Sequence, residues 1–170
     1  MKCLLKTIIA IVLIVVIGGL LLWFVGFPAL LAEDKVVKNL EKQDYEVQTF
    51  NSDDLFGAVG LFMPEGATAV VDAHKGDYGE DDYDSITIYY FDESKDAKEA
   101  KDDIEKAFDE SLDAILEGIG GGEAEGMFAG VANEIAASIE QVREDTKFVR
   151  FGKIVVTGSV RGIIAAMIGL

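Results

Sequence analysis

The chain reads as an α+β domain held behind one N-terminal transmembrane helix, and three observations predict this. Residues 8–27, which begin at Ile8 and end at Phe27, contain no charged side chain. Residues 85–91 run Ser-Ile-Thr-Ile-Tyr-Tyr-Phe, dense in the β-branched and aromatic side chains that suit a pleated strand. Residues 94–117 repeat apolar side chains at spacings of three and four, the pattern of a helix with one buried face.

The apolar run divides the chain into a leader (1–7), a membrane anchor (8–27) and a polar remainder. At about 1.5 Å per residue, its 20 residues reach about 30 Å as a helix, the thickness of a hydrocarbon core, and a helix satisfies its own backbone there. Lys2 and Lys6 precede it with no acidic residue, whereas Glu33 and Asp34 open the far side. Lys35, Lys38 and Lys42 weigh the other way, but the short, purely basic leader places the N-terminus in the cytoplasm and residues 33–170 outside the cell membrane. The run exceeds a secretory h-region of about 7 to 15 residues, and Leu30-Leu31-Ala32 makes a poor cleavage site, so an uncleaved signal anchor is expected. Cys3 is the only cysteine and precedes the span, which leaves the exported part without disulfide or thiolate. Gly18, Gly19 and Trp23 offer the span a helix-packing face for a membrane partner.

All 31 acidic residues lie from Glu33 onward with 13 of the 15 basic ones, so the exported part has a formal charge of 13 − 31 = −18. Nucleic-acid binding needs a basic footprint and is excluded on this balance. The same charge keeps an exported domain soluble, which is reason enough for it. The residues beyond the span suffice for one domain with a single core, expected over 45–170.

Pro28, with no amide hydrogen, ends or kinks the span. Within the linker 28–44, Val36, Val37 and Leu40 share one face of an amphipathic helix. Residues 45–50 alternate as a strand, and Asn51-Ser52-Asp53-Asp54 forms a turn before a short helix marked by Leu55, Val59, Phe62 and Met63. Pro64-Glu65-Gly66 stops it ahead of a strand over 67–73. The long helix begins at Ser94 as N-cap, with Asp96 favouring its positive end. Its stripe is Ala97, Ala100, Ile104, Ala107, Phe108, Ser111, Leu112 and Ile115, with Asp102 and Lys106 paired opposite, and Gly118 is expected to terminate it. Five glycines in residues 118–126 predict a flexible connector. Phe128, Val131, Ile135, Ile139 and Val142 mark a further helix, residues 148–151 and 153–157 two strands about Gly152, and Ser159 caps a final helix over 160–168. The closing apolar stretch cannot span a membrane. It is expected to pack on the sheet rather than dip into the interface, where Arg161 alone would supply a basic face.

The strand-helix-strand-strand-helix-strand order resembles the ferredoxin-like topology, in which helices cover one face of an antiparallel sheet. That topology hosts many activities and implies none.

Asp77, Glu80, Asp81, Asp82 and Asp84 gather between two strands and are the candidate ligands for a hard cation such as Ca2+, although the ligand alternation, mid-loop glycine and final glutamate of an EF-hand are missing. A solvated turn is the simpler reading. His74 adjoins this cluster and is the only base a Ser-His-Asp arrangement could use, yet no serine stands in a nucleophile-elbow context. The glycine run joins two helices and contains two glutamates, which argues against phosphate binding. The expectation is a membrane-anchored, non-enzymatic interaction or accessory domain. The alternative is an envelope cation-binding protein or metal-dependent hydrolase using the acidic loop near His74.

Overall fold

The structure is a computed structural model, and it describes residues 27–52, 63–77, 82–120 and 129–169. The expected leader, the expected anchor up to residue 26, Cys3, and the short helix expected over 55–62 lie outside these residues, as do Glu80, Asp81 and most of the glycine-rich stretch 118–126. Among the described residues no helix is long and apolar enough to cross a membrane.

The elements are α1 (Phe27–Leu30), α2 (Glu33–Glu41), β1 (Glu46–Asn51), β2 (Ala67–Lys75), β3 (Asp84–Phe91), α3 (Ser94–Gly120), α4 (Ala129–Asp145), β4 (Lys147–Phe151), β5 (Ile154–Gly158) and α5 (Val160–Ile168). The five strands form one antiparallel sheet in the order β1-β2-β3-β5-β4, giving an α+β architecture. The ferredoxin-like arrangement is not the one formed. A split βαβ unit needs its first two strands parallel with another between them, whereas β1 and β2 pair directly, Glu46 opposite His74 and Asn51 opposite Ala69.

Helices cover both sheet faces rather than one. The cause lies in the central strands, where Val155 and Val156 are neighbours that point to opposite faces and are both fully buried. On one face, Val71, Ala73, Ile86, Ile88 and Val156 pack with Leu31, Val36 and Leu40 and with Ala165 and Ala166 of α5. On the other, Val155, Phe91 and Ala67 pack with Ala97 and Ala100 of α3. Phe108 extends this second contact, meeting Phe148 of β4 edge to face at 5.3 Å.

Local signals resolve with several corrections. Ser159 caps α5 as expected, its hydroxyl accepting from the Gly162 amide at 2.9 Å. Ser94 does not cap α3. Its hydroxyl donates to the Gly152 carbonyl at 3.2 Å and accepts from Arg150 at 2.9 Å, tying the helix start to the β4–β5 turn. Gly118 does not end α3 either, which continues through Gly120. Lys106 pairs with Glu110 at 3.6 Å rather than with Asp102. The stripe foreseen on α4 is only partly used: Ile139 is buried, but Ile135 and Val142 are exposed. Arg143 joins α4 to α3 instead, reaching Asp113 at 2.5 Å and Asp109 at 3.6 Å.

Two glycines separate backbone necessity from mere tolerance. Gly158 has φ +146°, and a Cβ there would sit 2.5 Å from the Ser85 carbonyl oxygen and 2.9 Å from Ile86 Cα. Gly118 is helical, with open space where a Cβ would go. In urea titrations of the full chain in detergent, Gly158→Ala is expected to destabilise by roughly 2–4 kcal/mol, because β3 would have to yield. Gly118→Ala is expected to stabilise by about 0.5–1 kcal/mol. Equal effects would contradict the close packing of β5 on β3.

Candidate functional site

The acidic loop expected to gather ligands is dispersed at its described end. Asp84 opens β3 and points inward, only 7% exposed, its Oδ2 accepting a 2.5 Å hydrogen bond from the Tyr45 hydroxyl. Asp82 folds back over Gly76, its Oδ1 3.1 Å from where a Cβ on that glycine would be. Asp77 is described but is not brought into a ligand set, and Glu80 and Asp81 lie outside the described residues. Among the described residues no three acidic, histidine or cysteine side chains converge on a metal position. His74 faces neither Asp72 nor Asp77 as a partner. It lies opposite Glu46 in the sheet register, Nε2 to Oε2 3.6 Å, and Asp72 instead accepts from Thr87 at 2.8 Å.

The Tyr45–Asp84 pair joins three elements. Tyr45 ends the turn after α2, Asp84 begins β3, and Asp84 Oδ1 lies beside the first turn of α5, 3.6 Å from the position a Cβ on Gly162 would take. Oδ1 has no hydrogen-bond partner among the described residues, and the positive end of the α5 dipole lies next to it. Burial first, then the bond to Asp84, raise the Tyr45 hydroxyl above the usual phenol range. The pair is a structural clasp in which the Tyr45 hydroxyl is committed to Asp84 Oδ2, while Oδ1 faces the start of α5.

A different acidic feature has the geometry of a binding site. Beside α3 runs a groove of about 620 Å³, floored by Met63, Pro64, Ala100, Ile104 and the Tyr89 ring. Glu65, Asp96, Glu99 and Asp103 rim it. Gly66, at φ +81°, brings the turn against Asp96, within 3.3 Å of its Cβ as measured from an added Cβ. Burial, then the charge of Asp72, push the Tyr89 hydroxyl up to about 12, so it stays a neutral donor. Four carboxylates over an apolar floor accept hydrogen bonds from a cation with an aliphatic stem, the chemistry of Lys or Arg side chains.

Sequence reasoning missed this groove, although part of its signal was present. Asp96, Glu99 and Asp103 repeat at three and four residues and therefore share one flank of α3. Glu65 joins them only through tertiary packing, which no local pattern reveals.

Removal of the Tyr45 hydroxyl takes from a buried carboxylate its one hydrogen-bond donor among the described residues, so Tyr45→Phe is expected to cost about 1–3 kcal/mol in chemical denaturation. An alkaline transition also follows. Tyr45, Tyr89 and Tyr90 all hold their protons more tightly when folded, so their contribution is complete below about pH 10. It is lost as pH rises through about 12, where Tyr89 ionises. Melting temperature against pH, with tyrosinate absorbance alongside, is expected to fall as the buried phenols ionise, and a flat profile would contradict it.

Comparison with family models, curated proteins and solved structures finds no match to this chain, so its function has to be argued from the chemistry of its surfaces.

Proposed function

We propose that the chain is a membrane-anchored, extracytoplasmic, non-enzymatic interaction domain whose groove receives a basic amphipathic segment of a partner protein. One observation carries this reading: an apolar floor of Met63, Pro64 and Ile104 lies inside a rim of four carboxylates. Apolar contact supplies affinity at the floor, while the rim selects the sign of the partner and steers its approach. The address rests on the sequence, where the uncharged run from Ile8 to Phe27 follows Lys2 and Lys6. The hydrolase or cation-binding alternative has less behind it, because Asp84 is bonded to Tyr45 and His74 of β2 is paired with exposed Glu46 of the edge strand β1.

The test uses the full chain in neutral-lipid nanodiscs, with empty nanodiscs as control. A fluorescent helical peptide of Lys and Leu is expected to bind with salt-sensitive affinity, and its Glu and Leu counterpart is not. Glu99→Gln combined with Asp103→Gln, both at exposed positions, is expected to weaken binding about tenfold, equivalent to about 1.4 kcal/mol. Unchanged affinity in that variant, or equal affinity for both peptides, would overturn the groove as the binding site.

A further inference from the structure

We infer that the outer face of α5, together with Leu30 and the lysines of α2, lies on the lipid surface, so that the domain docks flat against the bilayer instead of hanging freely from its anchor. The inference rests on the membrane-anchored reading proposed above and adds a second contact to it.

Three observations support it. First, α5 buries Gly162, Ala165 and Ala166 against the sheet but exposes Val160, Ile164 and Ile168 at 55%, 45% and 50%. Spaced by four residues, these three make one apolar ridge along the helix. Leu30, 37% exposed, adds to the apolar surface on the neighbouring turn, since α1 packs against α5. Second, the apolar run of the sequence ends at Phe27, the first residue of α1. The ridge is therefore packed beside the point where the chain would leave the bilayer, which is what selects lipid as the occupant.

Third, charge is divided unevenly between the α1, α2 and α5 segments and the rest of the described chain. Residues 27–44 and 159–169, which form the α1, α2 and α5 side, hold four acidic residues (Glu33, Asp34, Glu41, Asp44) against four basic ones (Lys35, Lys38, Lys42, Arg161), a balance of zero. The described residues of 45–158 hold 21 acidic against 9 basic, a balance of −12. Lys35 and Lys38 on α2 and Lys42 at its C-cap are exposed at spacings of three and four, and α2 packs alongside α5. Lysines flanking an apolar ridge suit the headgroup and acyl boundary, where aliphatic side chains enter the lipid and ammonium groups meet phosphate. At nine residues α5 is far too short to span, so it lies in the interface plane.

The experiment uses the full chain reconstituted in phosphatidylcholine and phosphatidylglycerol vesicles. In a Cys3→Ser background, Ile164→Cys is labelled with an environment-sensitive fluorophore, and Asp102→Cys on the exposed side of α3 is the control. Quenching by lipids spin-labelled at shallow acyl positions is expected to be at least threefold stronger at 164 than at 102. Ile168→Cys provides the same reading should the first variant fold poorly. Vesicle flotation after an alkaline wash separates the two ideas. A chain that floats but shows equal quenching at both positions overturns the docking inference and leaves the anchor standing. A chain that fails to float removes the anchor and the docking with it. Shielding at 164 that lipid labels do not quench, and that disappears on dilution with excess lipid, would assign the ridge to a second copy and also overturn the inference.

Discussion

The architecture depends on one constraint in the middle of the sheet: β3 and β5 bury apolar side chains on both faces. Val155 and Val156 are fully buried on opposite sides, and Ile88 is buried beside the half-buried Tyr89. Each buried aliphatic side chain is worth about 1.5–3 kcal/mol, so neither face can be left wet. The chain meets this by giving α2 and α5 to one face and α3 to the other. The close approach of β5 to β3 at Gly158 follows from the same demand, because the two double-sided strands are hydrogen-bonded neighbours.

Much of the element order was legible locally. The strand read over 67–73, the β-branched and aromatic density of 85–91, the spacing in 94–117 and the cap at Ser159 each found the element that formed, with ends shifted by up to three residues. The arrangement of those elements was not legible. A pattern of helices and strands is compatible with several sheet orders, and the ferredoxin-like expectation failed because β1 pairs with β2 rather than standing apart from it. The doubly buried strands contained the missing clue, since Ile154, Val155 and Val156 break the alternation that a sheet with one wet face would show.

The acidic loop shows a different limit. Asp84 looked like one more solvated carboxylate in a run of acids, and its role depends on Tyr45, 39 residues away, and on the start of α5. Composition cannot tell a carboxylate facing water from one facing a phenol. The reverse holds at the groove, where Asp96, Glu99 and Asp103 share one flank of α3 by spacing and only the fold brings Glu65 and the turn at Gly66 against them. In both cases the sequence displays the charge, and only the fold displays its neighbours.

The sheet also gives these surfaces a common frame. The groove is built on the α3 face, with Tyr89 in its floor, whereas the ridge of Val160, Ile164 and Ile168 belongs to the α5 side. A domain resting on lipid through α5 would therefore turn its carboxylate rim away from the membrane. Electrostatics favours the same orientation, since the strongly negative part of the chain would be repelled by anionic headgroups while the α2 lysines would not. A basic partner segment would then meet the rim on the open side of the sheet, free of competition from the bilayer. The double-sided strands that force helices onto both faces are thus what permits one small domain to present lipid-compatible chemistry on one side and cation-compatible chemistry on the other.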